Sequence, residues 1–278
     1  MRTSKWFASI LGIALVAFGT SALAAISYSW SFDTGCSNSS SPGGTCTKTS
    51  SGVTVTAQAW STTANNGGTN NAMQTAYLRS YGSSGLGATN QDWESASGCA
   101  SGKDCNEADG TAPEHAVDNN ERRDSILFTF SEAIKLTQVT IGWPPSSNDT
   151  NDSDITVLAY LPVSGAPDSP ALNGQTEAAM TAAGWELASH NSDVANDSDN
   201  TADVNNATYN HNYVSRYWLI GAYNSAFESA GWSTGNDYVK FLALAGTQTT
   251  QVPEPSTLLL FGIAAMAGLW RRRQYAHR

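Results

Sequence analysis

The sequence predicts an all-β fold, a jelly-roll-like β-sandwich with long polar loops, and three observations carry that expectation. Residues 26–32 and 53–60 alternate apolar and polar side chains with the period of two that a half-buried strand needs. Further short apolar runs follow along the chain, separated by Gly, Asn, Asp and Pro. Helical character is confined to one Ala-rich stretch. Numerous strands with polar connections and little helix bury their apolar faces by packing one sheet on another.

Taken in order, residues 26–32 (Ile-Ser-Tyr-Ser-Trp-Ser-Phe) and 53–60 (Val-Thr-Val-Thr-Ala-Gln-Ala-Trp) are the first strands, the second rich in β-branched residues that suit a pleated surface. Residues 62–71 are so rich in Asn and Gly that they read as a loop, and so does Tyr81-Gly-Ser-Ser-Gly-Leu-Gly87. Strands are then expected at 125–130, 135–143, 155–161, 184–189, 217–222 and 238–245, with a short helix at 176–183 before Gly184. Residues 246–251 read as a linker. One domain, 25–245, suffices, because sandwiches run to about 200–250 residues as single units.

The two ends read as addresses. Residues 1–24 carry Arg2 and Lys5, an apolar run over 6–18 and an Ala22-Leu23-Ala24 exit, the tripartite form of a secretory signal peptide. Cleavage is expected after Ala24, which assigns the Sec machinery and signal peptidase as partners. At the other end Val252-Pro253-Glu254-Pro255-Ser256-Thr257 leads into an uncharged run over 258–270 and then Arg271, Arg272 and Arg273. As a helix, residues 257–270 reach about 21 Å, short of the roughly 30 Å of bilayer hydrocarbon. The three Arg side chains can snorkel to the headgroups and hold that end in the cytoplasm. Pro253 and Pro255 keep the preceding strip extended, a form a processing enzyme can grip.

The order Val252-Pro253-Glu254-Pro255, then Thr257, a short apolar helix and an Arg cluster resembles the PEP-CTERM sorting signal, which exosortases recognise and process in Gram-negative bacteria. The resemblance covers 252–273 and leaves 274–278 as a tail. It implies transient inner-membrane anchoring, processing by exosortase, and delivery to the cell surface or extracellular matrix. The strings His115-Ala-Val-Asp118-Asn-Asn, Ile141-Gly-Trp-Pro144, Ser153-Asp-Ile-Thr-Val157, Tyr217-Trp-Leu-Ile-Gly-Ala-Tyr223 and Asn236-Asp-Tyr-Val-Lys240 are similar to a subgroup of exosortase-dependent surface proteins. That likeness implies surface display and carries no particular activity.

Charge divides with the ends. The chain holds 14 basic and 24 acidic residues for a net charge of −10. Six of the basic residues and none of the acidic ones lie in 1–24 and 256–278, so the delivered part stands at −16. Such a balance excludes binding nucleic acid or an anionic membrane through a basic face. Four cysteines, Cys36, Cys46, Cys99 and Cys105, sit in the exported part, where an oxidising compartment favours disulfides and three pairings are open. Cys36 with Cys46 and Cys99 with Cys105 are favoured, because each pair closes a short loop.

No pattern of catalytic residues stands out. The Ser83-Ser84 turn lacks the G-x-S-x-G order of a nucleophile elbow. His115, His190 and His211 fall in unrelated segments without metal-binding spacing. Glu114, Asp118, Glu121 and Asp124 cluster before a strand and leave a glycosidase pair open, since that chemistry needs only two carboxyls roughly 5–10 Å apart. The Asp/Asn-rich runs at 148–154 and 193–203 serve as solvated turns or, alternatively, supply hard oxygens for a structural Ca²⁺ at Asp152 and Asp154 or at Asp197 and Asp199. Of the tryptophans in the delivered part, Trp30, Trp60, Trp143, Trp185 and Trp218 fall in expected strands as core, while Trp93 and Trp232 fall in loops and could form a glycan platform. The expectation is therefore a non-catalytic exported protein of the cell surface or matrix, associated with exopolysaccharide or biofilm. A carbohydrate-binding module and a glycoside hydrolase are the alternatives.

Overall fold

Alternating apolar residues on neighbouring segments can only be buried together if the segments pair side by side, and the computed structural model shows them doing so. It describes residues 22–63, 72–91, 115–120, 122–143, 152–196 and 199–252. Residues Ile26–Gln248 form one compact unit. The expected signal peptide therefore lies outside the described residues except for 22–24.

The strands are β1 (Ala22–Ser31), β2 (Thr45–Ser50), β3 (Val53–Thr62), β4 (Met73–Thr75), β5 (Tyr77–Ser80), β6 (Leu86–Thr89), β7 (Val117–Asp118), β8 (Asp124–Trp143), β9 (Ile155–Tyr160), β10 (Trp185–Asn191), β11 (Thr201–Asp203), β12 (Ser215–Ala222) and β13 (Tyr238–Val252). The helix α1 (Glu177–Ala183) precedes β10. One layer is antiparallel throughout in the order β2-β3-β8-β12-β9-β10. The other runs β11-β8-β13-β6-β5, again antiparallel. The fold is thus the expected all-β sandwich.

The two strands expected at 125–130 and 135–143 are one continuous strand. Residues 124–130 of β8 pair with β3 and β12, and residues 135–143 pair with β13. Ser131 and Glu132, exposed between these halves, mark the crossing from one layer to the other. Side chains from both layers meet in the main core, where Phe128 lies edge-on to Phe241 at 6.3 Å and Trp30 lies edge-on to Phe130 at 4.9 Å. Trp30, Trp185 and Trp218 are core residues as expected.

The first layer is buried on its outer face as well. Leu127, Leu158 and Leu219 point away from the main core into a second cluster, closed by Met180 of α1 and by Leu172. This explains why every residue of β9 is buried and why its pattern reads as a continuous apolar run. Thr176 caps the helix, its Oγ1 accepting from the Ala179 amide at 3.3 Å. Gly184 ends it at φ 106°, and a Cβ there would stand 2.2 Å from the Leu161 carbonyl oxygen.

Several elements were not expected. β2 (Thr-Cys-Thr-Lys-Thr-Ser) is an edge strand whose solvent face leaves only Cys46 buried. The string at 81–87 is a 3₁₀ turn over Gly82–Ser84 followed by β6, with Leu86 fully buried. The segment read as a linker continues β13, with Gly246 and Thr247 paired to Leu136 and Lys135. Cys36 and Cys46 form a disulfide, their Cα atoms 5.5 Å apart. Cys99 and Cys105 lie outside the described residues.

Candidate functional site

Three strand ends converge at one end of the sandwich, and each carries an Asp or Asn, the residues that terminate strands by bonding nearby backbone. Asp154 immediately precedes β9, Asp237 immediately precedes β13, and Asn119 immediately follows β7. Asp152 bridges to Asp237 in a parallel arrangement, with the Asp152 amide donating to the Asn236 carbonyl at 2.6 Å and the Tyr238 amide donating to the Asp152 carbonyl at 2.9 Å. Carboxylate oxygens of Asp152, Asp154 and Asp237 lie within 4.8 Å of one another.

The cluster is built in detail. Asp237 is fully buried; its Oδ1 accepts from the Asp154 amide at 3.1 Å, and its Oδ2 accepts from Asn119 Nδ2. Asn119 also donates to the Tyr223 carbonyl at 2.9 Å and accepts from the amides of Gly235 and Asp237, so one side chain ties three loops together. Asp154, also buried, accepts from the Asp193 amide at 2.7 Å. Among the described residues none of Asp152, Asp154 and Asp237 forms an ion pair with Lys or Arg. Burial, then the neighbouring Asp154 charge, pushes the Asp237 carboxyl up to about 8, and burial pushes Asp154 up to about 6. Asp152 is raised too, chiefly by burial.

Two buried carboxyls beside a third, with no basic partner, are settled either by protons or by a cation. Hard oxygen donors alone fit Ca²⁺ and suit neither Zn²⁺ nor copper. Of the four Asp residues expected at a cation site, the structure brings Asp152 and Asp154 together and adds Asp237. Asp199 is exposed and takes no part in this cluster, while Asp197 lies outside the described residues.

The Asp193 amide bonded to Asp154 follows Ser192, and Tyr223, whose carbonyl accepts from Asn119, packs on Trp232; Ser192 and Trp232 both line a groove of about 560 Å³. Its floor and walls include His190 and Asn191 at the end of β10, Asp203 of β11, Asn206, Tyr209 and Trp232. The Trp232 ring lies 6.0 Å from His190 and 5.1 Å from Tyr223, and His190 meets Tyr209 edge-on at 5.9 Å. His190 is fixed at both nitrogens, Nδ1 with Thr156 Oγ1 at 2.9 Å and Nε2 with the Glu228 carbonyl at 2.9 Å. Burial lowers its pKa, which disfavours the charged imidazolium at this wall of the groove. Asn206 forms an Asx turn with the Thr208 and Tyr209 amides and donates to Asn191 Oδ1 at 3.1 Å.

The remaining sequence candidates scatter. Trp93, Glu114 and Glu121 lie outside the described residues, as does the sorting segment beyond Val252. Asp118 and Asp124 are both buried. Trp143 is half-exposed rather than core, with the Lys240 ammonium 4.0 Å from its ring centroid. His115 bonds Thr89 Oγ1 at 3.0 Å, and His211 stacks on Tyr213 at 4.9 Å.

Asp237 and Asn119 were missed as site residues because nothing local marks them; the Asp237–Asp154 contact spans 83 residues. One signal was available: four of the strings similar to exosortase-dependent surface proteins, at 115–120, 153–157, 217–223 and 236–240, contain Asn119, Asp154, Tyr223 and Asp237. Comparison with known proteins bears on the C-terminus alone. A model of the PEP-CTERM protein-sorting motif matches residues 251–273. No curated protein and no solved structure matches the chain. Among the described residues no helix is long and apolar enough to cross a membrane, and the stretch 258–270 lies outside them.

Proposed function

From the premise that this is a PEP-CTERM sorting-domain protein, exported and sorted by exosortase, we propose that it serves as a non-catalytic protein of the cell surface or extracellular matrix, associated with exopolysaccharide or biofilm. The observation that carries the reading is the sorting motif at 251–273. Two further features support it. The delivered part has a net charge of −16, with hydration supplied largely by Asn, Ser and Thr, which suits a hydrated matrix. The disulfide between Cys36 and Cys46 suits an oxidising exterior.

Asp152, Asp154 and Asp237 would hold a divalent cation, Ca²⁺ by their chemistry, with the ion competing with the proton that the raised Asp237 carboxyl retains in its absence. Its role would be structural, joining the starts of β9 and β13. Transient anchoring through residues 258–270 would precede release or surface attachment.

Cell fractionation with mass spectrometry of the mature C-terminus tests the reading. A chain ending near Pro255 and found outside the cell is the expected result. An intact C-terminus retained in the inner membrane would overturn it, as would unchanged surface display after deletion of 252–273.

A further inference from the structure

We infer that the groove walled by Trp232, Tyr209 and His190 is a binding site for a neutral oligosaccharide segment. Its size is the first argument: about 560 Å³ lies within the range of small-ligand sites, roughly 300–1,000 Å³. Its chemistry is the second. Trp232 and Tyr209 are only partly buried, and among the described residues neither the indole N–H nor the phenolic O–H has a hydrogen-bond partner, although both rings stand in a fixed aromatic cluster. Rings of this kind normally find a partner for their polar tip when they pack. Here both residues line the same groove.

Around them the lining is hydroxyl, amide and carboxylate. Ser192 and Thr208 supply hydroxyls, and Asp203 supplies a carboxylate of which, among the described residues, Oδ1 alone is engaged, by Gln138 at 3.0 Å. Adjacent sugar hydroxyls are donors and acceptors in one, and a carboxylate oxygen beside a hydroxyl satisfies such a pair. An apolar peptide would leave these groups dry and unpaired, which costs free energy. Among the described residues no Lys or Arg lines the groove, so an anionic polysaccharide would meet Asp203 without compensation from them. The wall is also prearranged, because Asn206, Asn191 and His190 are each held by hydrogen bonds of their own; little ordering remains to oppose binding.

This site deepens the surface reading by naming the matrix component bound, and it rests on that reading only for why a glycan is at hand. Binding is therefore measured on the purified full chain, apart from sorting. Isothermal titration with cellohexaose, chitohexaose and maltohexaose, and affinity electrophoresis through polygalacturonate, are the probes. Expected is binding of at least one neutral hexasaccharide, weakened about tenfold or more in Trp232→Ala. Trp232→Phe, which keeps an aromatic face, should retain most of the affinity and controls for folding, as does an unchanged melting temperature in Asp203→Asn with weakened binding. No binding of any neutral probe at millimolar concentration would overturn the inference. So would equal affinity in a folded Trp232→Ala, or preference for polygalacturonate. A chain that binds a neutral probe yet is not surface-sorted would leave the groove standing and remove the surface reading, and the reverse pair of results would do the opposite.

Discussion

Replacing Asp237 with Asn should flatten the pH dependence of stability of the cation-free protein. In the wild type, Asp237 is fully buried beside Asp154 and Asp152, and its carboxyl stands at about 8 against an ordinary 3.8. A raised folded pKa means that the native state holds the proton more tightly than the unfolded chain does. The stability this contributes is complete below the unfolded value and is lost as pH rises through the folded one, so the window runs from about pH 4 to about pH 8. One proton retained in the native state and released in the unfolded one corresponds to roughly 1.4 kcal/mol per pH unit. Between about pH 5 and about pH 7 the loss is on the order of 2–3 kcal/mol, or roughly 5–10 °C in Tm for a domain of this size. Asp154, at about 6, adds to the fall in the lower part of the window. His190 acts against it, since its lowered pKa makes stability rise with pH as the unfolded imidazole loses its proton. The comparison of slopes between wild type and Asp237→Asn isolates the one carboxyl. Absolute Tm is not the readout, because the new amide would set a donor against Asn119 Nδ2. Thermal unfolding by circular dichroism in chelator, at fixed ionic strength, gives both slopes. Coincident slopes would refute the reasoning.

Other outcomes follow from neighbouring features. Millimolar Ca²⁺ should raise Tm relative to chelator, more strongly at about pH 7.5 than at about pH 5.5, because the ion competes with the protons on Asp154 and Asp237; differential scanning fluorimetry with no calcium shift at either pH would remove the cation. Met180→Ala should cost about 2–5 kcal/mol in chemical denaturation, since Met180 is the one buried residue of α1 and closes the second cluster. Cys36→Ser should cost about 3 kcal/mol through the unfolded chain's regained freedom, and a reductant should then have no further effect attributable to that loop.

Local alternation made much of the sandwich readable. Val53, Val55, Ala57 and Ala59 face one core, so β3 announces itself, and β9 is visible as an apolar run because both its faces are covered. The single strand β8 read as two for a physical reason: its apolar pattern belongs to different layers before and after Ser131 and Glu132. β2 and β11 were invisible because short edge strands with a wet face owe their extension to a partner's ladder rather than to their own side chains. The site divides in the same way. Asp152 and Asp154 were legible as an oxygen-rich run, whereas Asp237 joins them through topology alone. Trp232 was legible as a tryptophan outside the strands, but the Tyr209, His190 and Asp203 around it come from three other stretches of chain.

The path of β13 has a mechanical consequence. The last core strand runs lengthwise against β8 from Lys240 to Thr247, and the sorting motif begins only a few residues further on. A force applied along the axis of that strand would act on the ladder from Lys240 to Thr247 lengthwise. The rungs between β13 and β8 would then be loaded together in shear instead of peeled one after another.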